Sequence, residues 1–144
     1  VLDDGPTTAG VESTIARVKD RAVEVLRPGP VTTDMLAATS GLAVTGVKGA
    51  EIVAPGMLAS HYAPGKPVRL GAVNFADDEF GVGFGLVDGD YNLSEAGDLT
   101  DAAAGLFDAL HAGAASAKAR IAVAAIPMEG LGAAINDRLA RAAV

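Results

Sequence analysis

Three short stretches of the sequence carry side chains that can bind an anion or a nucleotide. The first is Gly10-Val11-Glu12-Ser13-Thr14. Glycine lets a ligand come close to the backbone, and successive hydroxyls can donate to phosphate or carboxylate oxygens. The same residues can equally form an ordinary turn. The second is Arg27-Pro28-Gly29. An arginine fixed at a strand end beside a Pro-Gly corner can offer its guanidinium fork to a phosphate or carboxylate. A salt bridge to Glu24 or Glu12 is the plainer alternative. The third is His61-Tyr62, inside a segment (54–64) stiffened by prolines and a glycine. These rings can hydrogen-bond or stack on a nucleotide. An aromatic in a docked linker can also simply anchor one domain to another. No carboxylate lies near His61 in sequence to orient it, so it is not assigned as a base. No carboxylate pair and no Ser-His-Asp order stands out, so no catalytic residue is assigned.

Two further features read as structural. Gly81-Val82-Gly83-Phe84-Gly85 lacks the G-x-G-x-x-G spacing before a helix that a phosphate loop needs. Arg138 and Arg141 are expected on the outer face of the last helix, as a solvated surface by default, with a ligand or partner patch as the alternative.

Composition narrows the classes. The chain has 144 residues, enough for one ordinary domain or for a small domain plus part of another. Half the residues are hydrophobic, but only 4% are aromatic and none is Trp, so the core must be built from Ala, Val, Leu and Ile. Residues 1–72 carry seven basic and seven acidic side chains, whereas residues 73–144 carry four against eleven, which is the whole net charge of -7. An acidic half repels phosphate, so strong direct nucleic-acid binding is not expected. The absence of cysteine excludes disulfides and thiolate sites and suits a cytoplasmic protein. Two histidines fifty residues apart form no zinc pattern, and no metal ligand is assigned. No run approaches the roughly 20 apolar residues of a membrane span, and no basic segment precedes an apolar run as in a signal peptide.

The elements that must hold the three stretches follow from pattern. Residues 1–6 read as a strand end (Val1-Leu2) and a turn (3–6). Residues 13–18 and 22–26 read as a hairpin turning at Lys19-Asp20-Arg21 and stopped by Pro28 and Pro30. Thr32 can cap a short helix over 33–38 that closes near Gly41, and 42–53 has room for one extended piece. Strands are expected at 68–72, 80–87 and 91–93, and again at 120–126. The clearest helix runs from Asp98 to His111 and is closed by Gly113, with Leu99, Ala102 or Ala103, Leu106 and Leu110 on one side. A second spans 130–142, with Leu131, Ile135, Leu139 and Ala142 in a stripe and Asp137 four residues before Arg141. Strands alternating with helices predict a small three-layer, Rossmann-like α/β domain with a mostly parallel sheet.

The same residues carry a family resemblance. Leu2-Asp3-Asp4-Gly5, Gly10-Val11-Glu12-Ser13-Thr14-Ile15, Val25-Leu26-Arg27-Pro28-Gly29, and Ala54-Pro55-Gly56-Met57 through His61-Tyr62-Ala63-Pro64 resemble the threonylcarbamoyl-AMP synthases in order and spacing. They are most similar to the two-domain members, which add a C-terminal α/β domain to a YrdC-like catalytic domain. The stretch from Gly130 to Leu139 is similar to that domain's closing helix.

The resemblance implies a partial YrdC-like remnant at 1–50, a linker at 51–66 and the accessory domain at 67–144. It implies a parent enzyme that condenses ATP, L-threonine and bicarbonate into threonylcarbamoyl-AMP with release of pyrophosphate, normally with Mg2+. That product feeds tRNA modification, so tRNA is an indirect partner through downstream proteins. It implies that Glu12, Ser13 and Thr14 line the nucleotide-threonine pocket, that Arg27 contacts the adenylate, and that His61 and Tyr62 belong to a linker folding over it. The family's early K-x-R segment and its Ser/Asn segment have no counterpart here, so this chain is expected to be inactive alone. The alternatives are a non-catalytic nucleotide-binding or regulatory module, and a structural α/β module.

Overall fold

The computed structural model describes residue 2 and residues 7–46 and 62–143. The expected turn at 3–6 and most of the linker, including His61, lie outside the described residues.

Strands β1 (Ile15–Lys19) and β2 (Ala22–Arg27) pair antiparallel, with Lys19 opposite Ala22. Asp20 and Arg21 both take positive φ (50° and 61°), the two-residue turn that matches the right-handed twist of a hairpin. Helix α1 (Thr33–Ser40) starts on Thr32, whose side chain accepts from the Met35 amide, and ends at Gly41. It returns the chain to β3 (Ala43–Gly46), parallel to β2. This sheet lacks a core of its own: α1 buries no residue, and the buried hydrophobics of β2 are Val23 and Val25. The expected separate catalytic-domain remnant is therefore not seen as an independent unit among the described residues.

The second sheet is entirely parallel. It comprises β4 (Val68–Ala72), β5 (Glu79–Gly83), β6 (Tyr91–Asn92) and β7 (Arg120–Ala124), in the order β4-β7-β5-β6. β5 is shorter than the expected 80–87, because Phe84 and Val87 bridge to each other and the chain reverses there. Helix α2 (Leu99–Ala115) is capped by Asp98, whose carboxylate accepts from the amides of Thr100 and Asp101. It runs past Gly113, which is a buried packing position against Ile121 and Phe80. Helix α3 (Gly132–Ala142) follows β7.

Both helices pack on the sheet face that carries Phe80, Val82, Ile121 and Val123, and they touch each other. The other face presents Ala72, Ala122 and Ala124, with Phe75 lying over Gly81. So the expected third layer is not seen among the described residues: the β4–β5 and β5–β6 connections are loops and supply no helix for that side. The core is Leu106, Leu110, Ile135 and Leu139 among buried alanines, as the aromatic-poor composition requires. Residues 10 and 11 lie against α2 beside Ala103 and Ala104. Val11 joins the common core. Gly10 has φ +64°, and a Cβ placed on it would lie 2.2 Å from the Ala103 carbonyl oxygen. Only glycine lets the chain run that close to the helix.

Candidate functional site

Gly10 and buried Val11 set Glu12 beside α3, and this decides what surrounds it. Arg138 Nε donates to Glu12 Oε2 at 2.7 Å. The Tyr62 hydroxyl donates to Glu12 Oε1 at 2.5 Å. Arg138 also donates through Nη2 to the Pro28 carbonyl at 3.0 Å and through Nη1 to Asp137 at 2.7 Å. Its guanidinium carbon lies 5.7 Å from the centre of the Tyr62 ring, whose other neighbour is Phe107 at 5.4 Å. Arg138 is completely buried, which corrects the expectation of a solvated outer face. The physical reason is its period: it stands seven residues after Leu131 and three after Ile135, on the apolar stripe itself. Arg141 is largely covered too, and it pairs with Asp137 at 2.9 Å as its spacing predicts.

These contacts fix the charge states. Burial pushes the Glu12 carboxyl up, but the hydrogen bonds from Tyr62 and Arg138 outweigh it and hold the group at about 2 against an ordinary 4.5. Burial, reinforced by the bond to Glu12, raises the Tyr62 phenol above its usual range.

The two motifs expected to meet a ligand also meet each other. Arg27 is buried and donates through Nε and Nη2 to the Ser13 carbonyl at 3.2 and 2.9 Å, and Nη2 lies 3.4 Å from Ser13 Oγ. Glu24, one of the carboxylates offered as an alternative for Arg27, pairs with Arg17. The Thr14 hydroxyl donates to the Val31 carbonyl at 2.8 Å and accepts from the Val31 amide at 3.0 Å. Gly29 lies so near the 12–14 backbone that a Cβ would sit 2.4 Å from the Thr14 nitrogen. Ser13 itself is exposed. Glu12, Ser13, Thr14, Arg27 and Tyr62 thus form one cluster. Sequence reasoning missed Arg138, which the 3.6-residue period would have placed inward.

Residues 62–66 are moored at both ends. Beyond Tyr62, Lys66 Nζ donates to the Gly113 and Ser116 carbonyls at 2.9 and 2.7 Å, placing a cation on the C-terminal end of α2. A cleft of about 330 Å³ opens between the Pro28-Gly29 corner and the start of α3, edged by Thr32, Thr33, Asp34 and Glu129. Its two carboxylates make it a poor cradle for phosphate. Among the described residues no group of three or more His, Asp or Glu side chains could hold a metal ion. Glu12, the carboxylate of the first motif, is committed to Arg138 and Tyr62, so these residues do not fit a magnesium site. No described helix is long and apolar enough to cross a membrane.

The arrangement is an acidic α/β unit bonded through Arg138 to a Gly-Val-Glu-Ser-Thr strand entry and an Arg-Pro-Gly corner. Residues 24–144 match the family described as threonylcarbamoyl-AMP synthase, C-terminal domain, and the chain belongs to that family. It is 30% identical, over an alignment 167 positions long, to the threonylcarbamoyl-AMP synthase of Bacillus subtilis (strain 168), covering 99% of this chain and 48% of that protein. It superposes on the crystal structure of P. abyssi Sua5 complexed with L-threonine with a TM-score of 0.79 and 25% identity, covering 98% of this chain and 48% of the other. The chain therefore spans about half the length of the relatives it matches.

Proposed function

We propose that this chain serves as the C-terminal half of an L-threonylcarbamoyladenylate synthase, which joins ATP, L-threonine and bicarbonate into threonylcarbamoyl-AMP and releases pyrophosphate. The observation that carries this reading is the near-complete structural match to a threonine-bound relative, with the ligand-type motifs gathered in one cluster. In this reading the threonine amine and bicarbonate condense to a carbamate with loss of water, a carbamate oxygen attacks the α-phosphorus, and pyrophosphate leaves. Such chemistry asks for positioned donors more than for a covalent nucleophile. Ser13 keeps an exposed hydroxyl, and Arg27 holds the adjacent backbone. Residues 1–50 read as the end of the catalytic domain, 51–66 as the linker and 67–144 as the accessory domain. The exposed Val18 on β1, Val31 just before α1 and Met35 on α1 support a catalytic half packed over them. ATP and Mg2+ would be held mainly by that half, in a cytoplasmic enzyme that reaches tRNA only through its product.

Tyr62 supports a second role within this reading. Its ring and hydroxyl are both engaged between Glu12, Arg138 and Phe107, which favours an anchor for the linker over direct contact with the intermediate.

Pyrophosphate release by the full-length protein carrying this chain tests the proposal. Release is expected to require both threonine and bicarbonate, and to be absent for residues 1–144 alone. Release from ATP that ignores either co-substrate would sink it.

A further inference from the structure

The contacts around Arg138 close into a ring. Arg138 bonds Glu12, Glu12 is peptide-linked to Ser13, the Ser13 carbonyl accepts from Arg27, Arg27 is peptide-linked to Pro28, and the Pro28 carbonyl accepts from Arg138. Two links of this ring belong to the segments expected to meet the substrates. The third comes from α3, more than a hundred residues away in sequence. We propose that Arg138 is a positioning residue: the accessory domain, through this one side chain, fixes Ser13 and Arg27 in the geometry that the adenylation site needs. This deepens the functional reading above and rests on it.

The chemistry of the side chain supports the assignment. A guanidinium has five donors in a rigid plane and can serve Glu12, Pro28 and Asp137 together. Its complete burial excludes competing water. A buried cation with three oxygen acceptors sits at low cost only while all three stay in place, so it resists movement of any one of them. The β1–β2 ladder holds Ser13 near Arg27 from one side only, and its register slips between Ile15 and Ala16. Arg138 supplies the opposite restraint, on Glu12 and Pro28. Without it the two segments can shift relative to α3, and a shift of about 1 Å in a positioning group costs on the order of a hundredfold in rate.

The test uses Arg138→Lys, which keeps the charge but cannot reach three acceptors, alongside Glu12→Gln. In the full-length enzyme, at a temperature where each variant is fully folded, Arg138→Lys is expected to lower kcat/KM about a hundredfold. Combining it with Glu12→Gln should add little, since both cut the same ring. Hydrogen exchange on the 144-residue chain is the second measurement. Arg138→Lys should speed exchange in residues 11–14 and 29–31 while leaving α2 and β7 unchanged. Unchanged turnover by folded Arg138→Lys, or exchange raised equally across the chain, would overturn the inference. A full-length wild type that makes no threonylcarbamoyl-AMP would instead overturn the functional reading, and the exchange pattern would still decide whether Arg138 holds the ring.

Discussion

Glu12 shows how much one neighbour changes a side chain's meaning. By type it suggests a ligand contact; in the fold its carboxylate answers a buried arginine and a phenol. The resulting depression of its pKa has a definite sign. The folded protein binds this proton more weakly than the unfolded chain, so Glu12 contributes stability above pH 4.5 that is lost as pH falls toward 2. The contribution is about 2 kcal/mol once its partial exposure is discounted. Glu79 is held at about 2 by the Arg69 fork, and Asp98 is held low by the first amides of α2, so acid weakens the fold at several points. Glu12→Gln should therefore reduce the loss of stability between pH 7 and pH 3 without abolishing it, as read by urea unfolding at both values. Equal acid sensitivity in wild type and variant would contradict this account of Glu12. The residue types of the cluster were legible in the sequence. Their union was not, because it depends on Arg138, and Arg138 is bonded across more than a hundred intervening residues.

At the scale of elements, period and capping carried most of the reading. The stripe of α2 and its Asp98 cap follow directly from the spacing of Leu99, Leu106 and Leu110. The failures have local causes. Gly113 reads as a helix stop but serves as a contact surface for Ile121 and Phe80. Apolar residues continue past Gly83, yet the Phe84–Val87 bridge turns the chain and ends β5. The third layer was expected from the alternation of strands with helices, but the described β4–β5 and β5–β6 connections are loops and supply no helix for it. Gly10 links the elements most tightly, since its backbone lies directly on α2. Gly10→Ala should cost about 2 kcal/mol or more, from the strained φ and the collision with Ala103. Thermal unfolding would show it as a lowered Tm, whereas Gly41→Ala, also at positive φ but facing open space, should cost less. Equal losses would mean that the close approach to α2 contributes nothing.

Among the described residues the buried core of the whole molecule lies between the second sheet and the helices α2 and α3, and Val11 joins it from the segment that leads into the first sheet. The first sheet buries too little to stand alone, and Val11, Glu12 and Pro28 join it to the α2–α3 layer. This arrangement makes the accessory domain part of how the motif segments are held. Charge agrees with a division of labour, because the acidic half carries no phosphate-type motif and the neutral half carries two. The central claim is that the full-length protein built on this chain forms threonylcarbamoyl-AMP. Its most direct test supplies 13C-bicarbonate, L-threonine and ATP to that protein and follows the label by mass spectrometry. The account predicts one labelled carbon in a threonine–AMP conjugate for each pyrophosphate released. Pyrophosphate released without label in any such conjugate would contradict it.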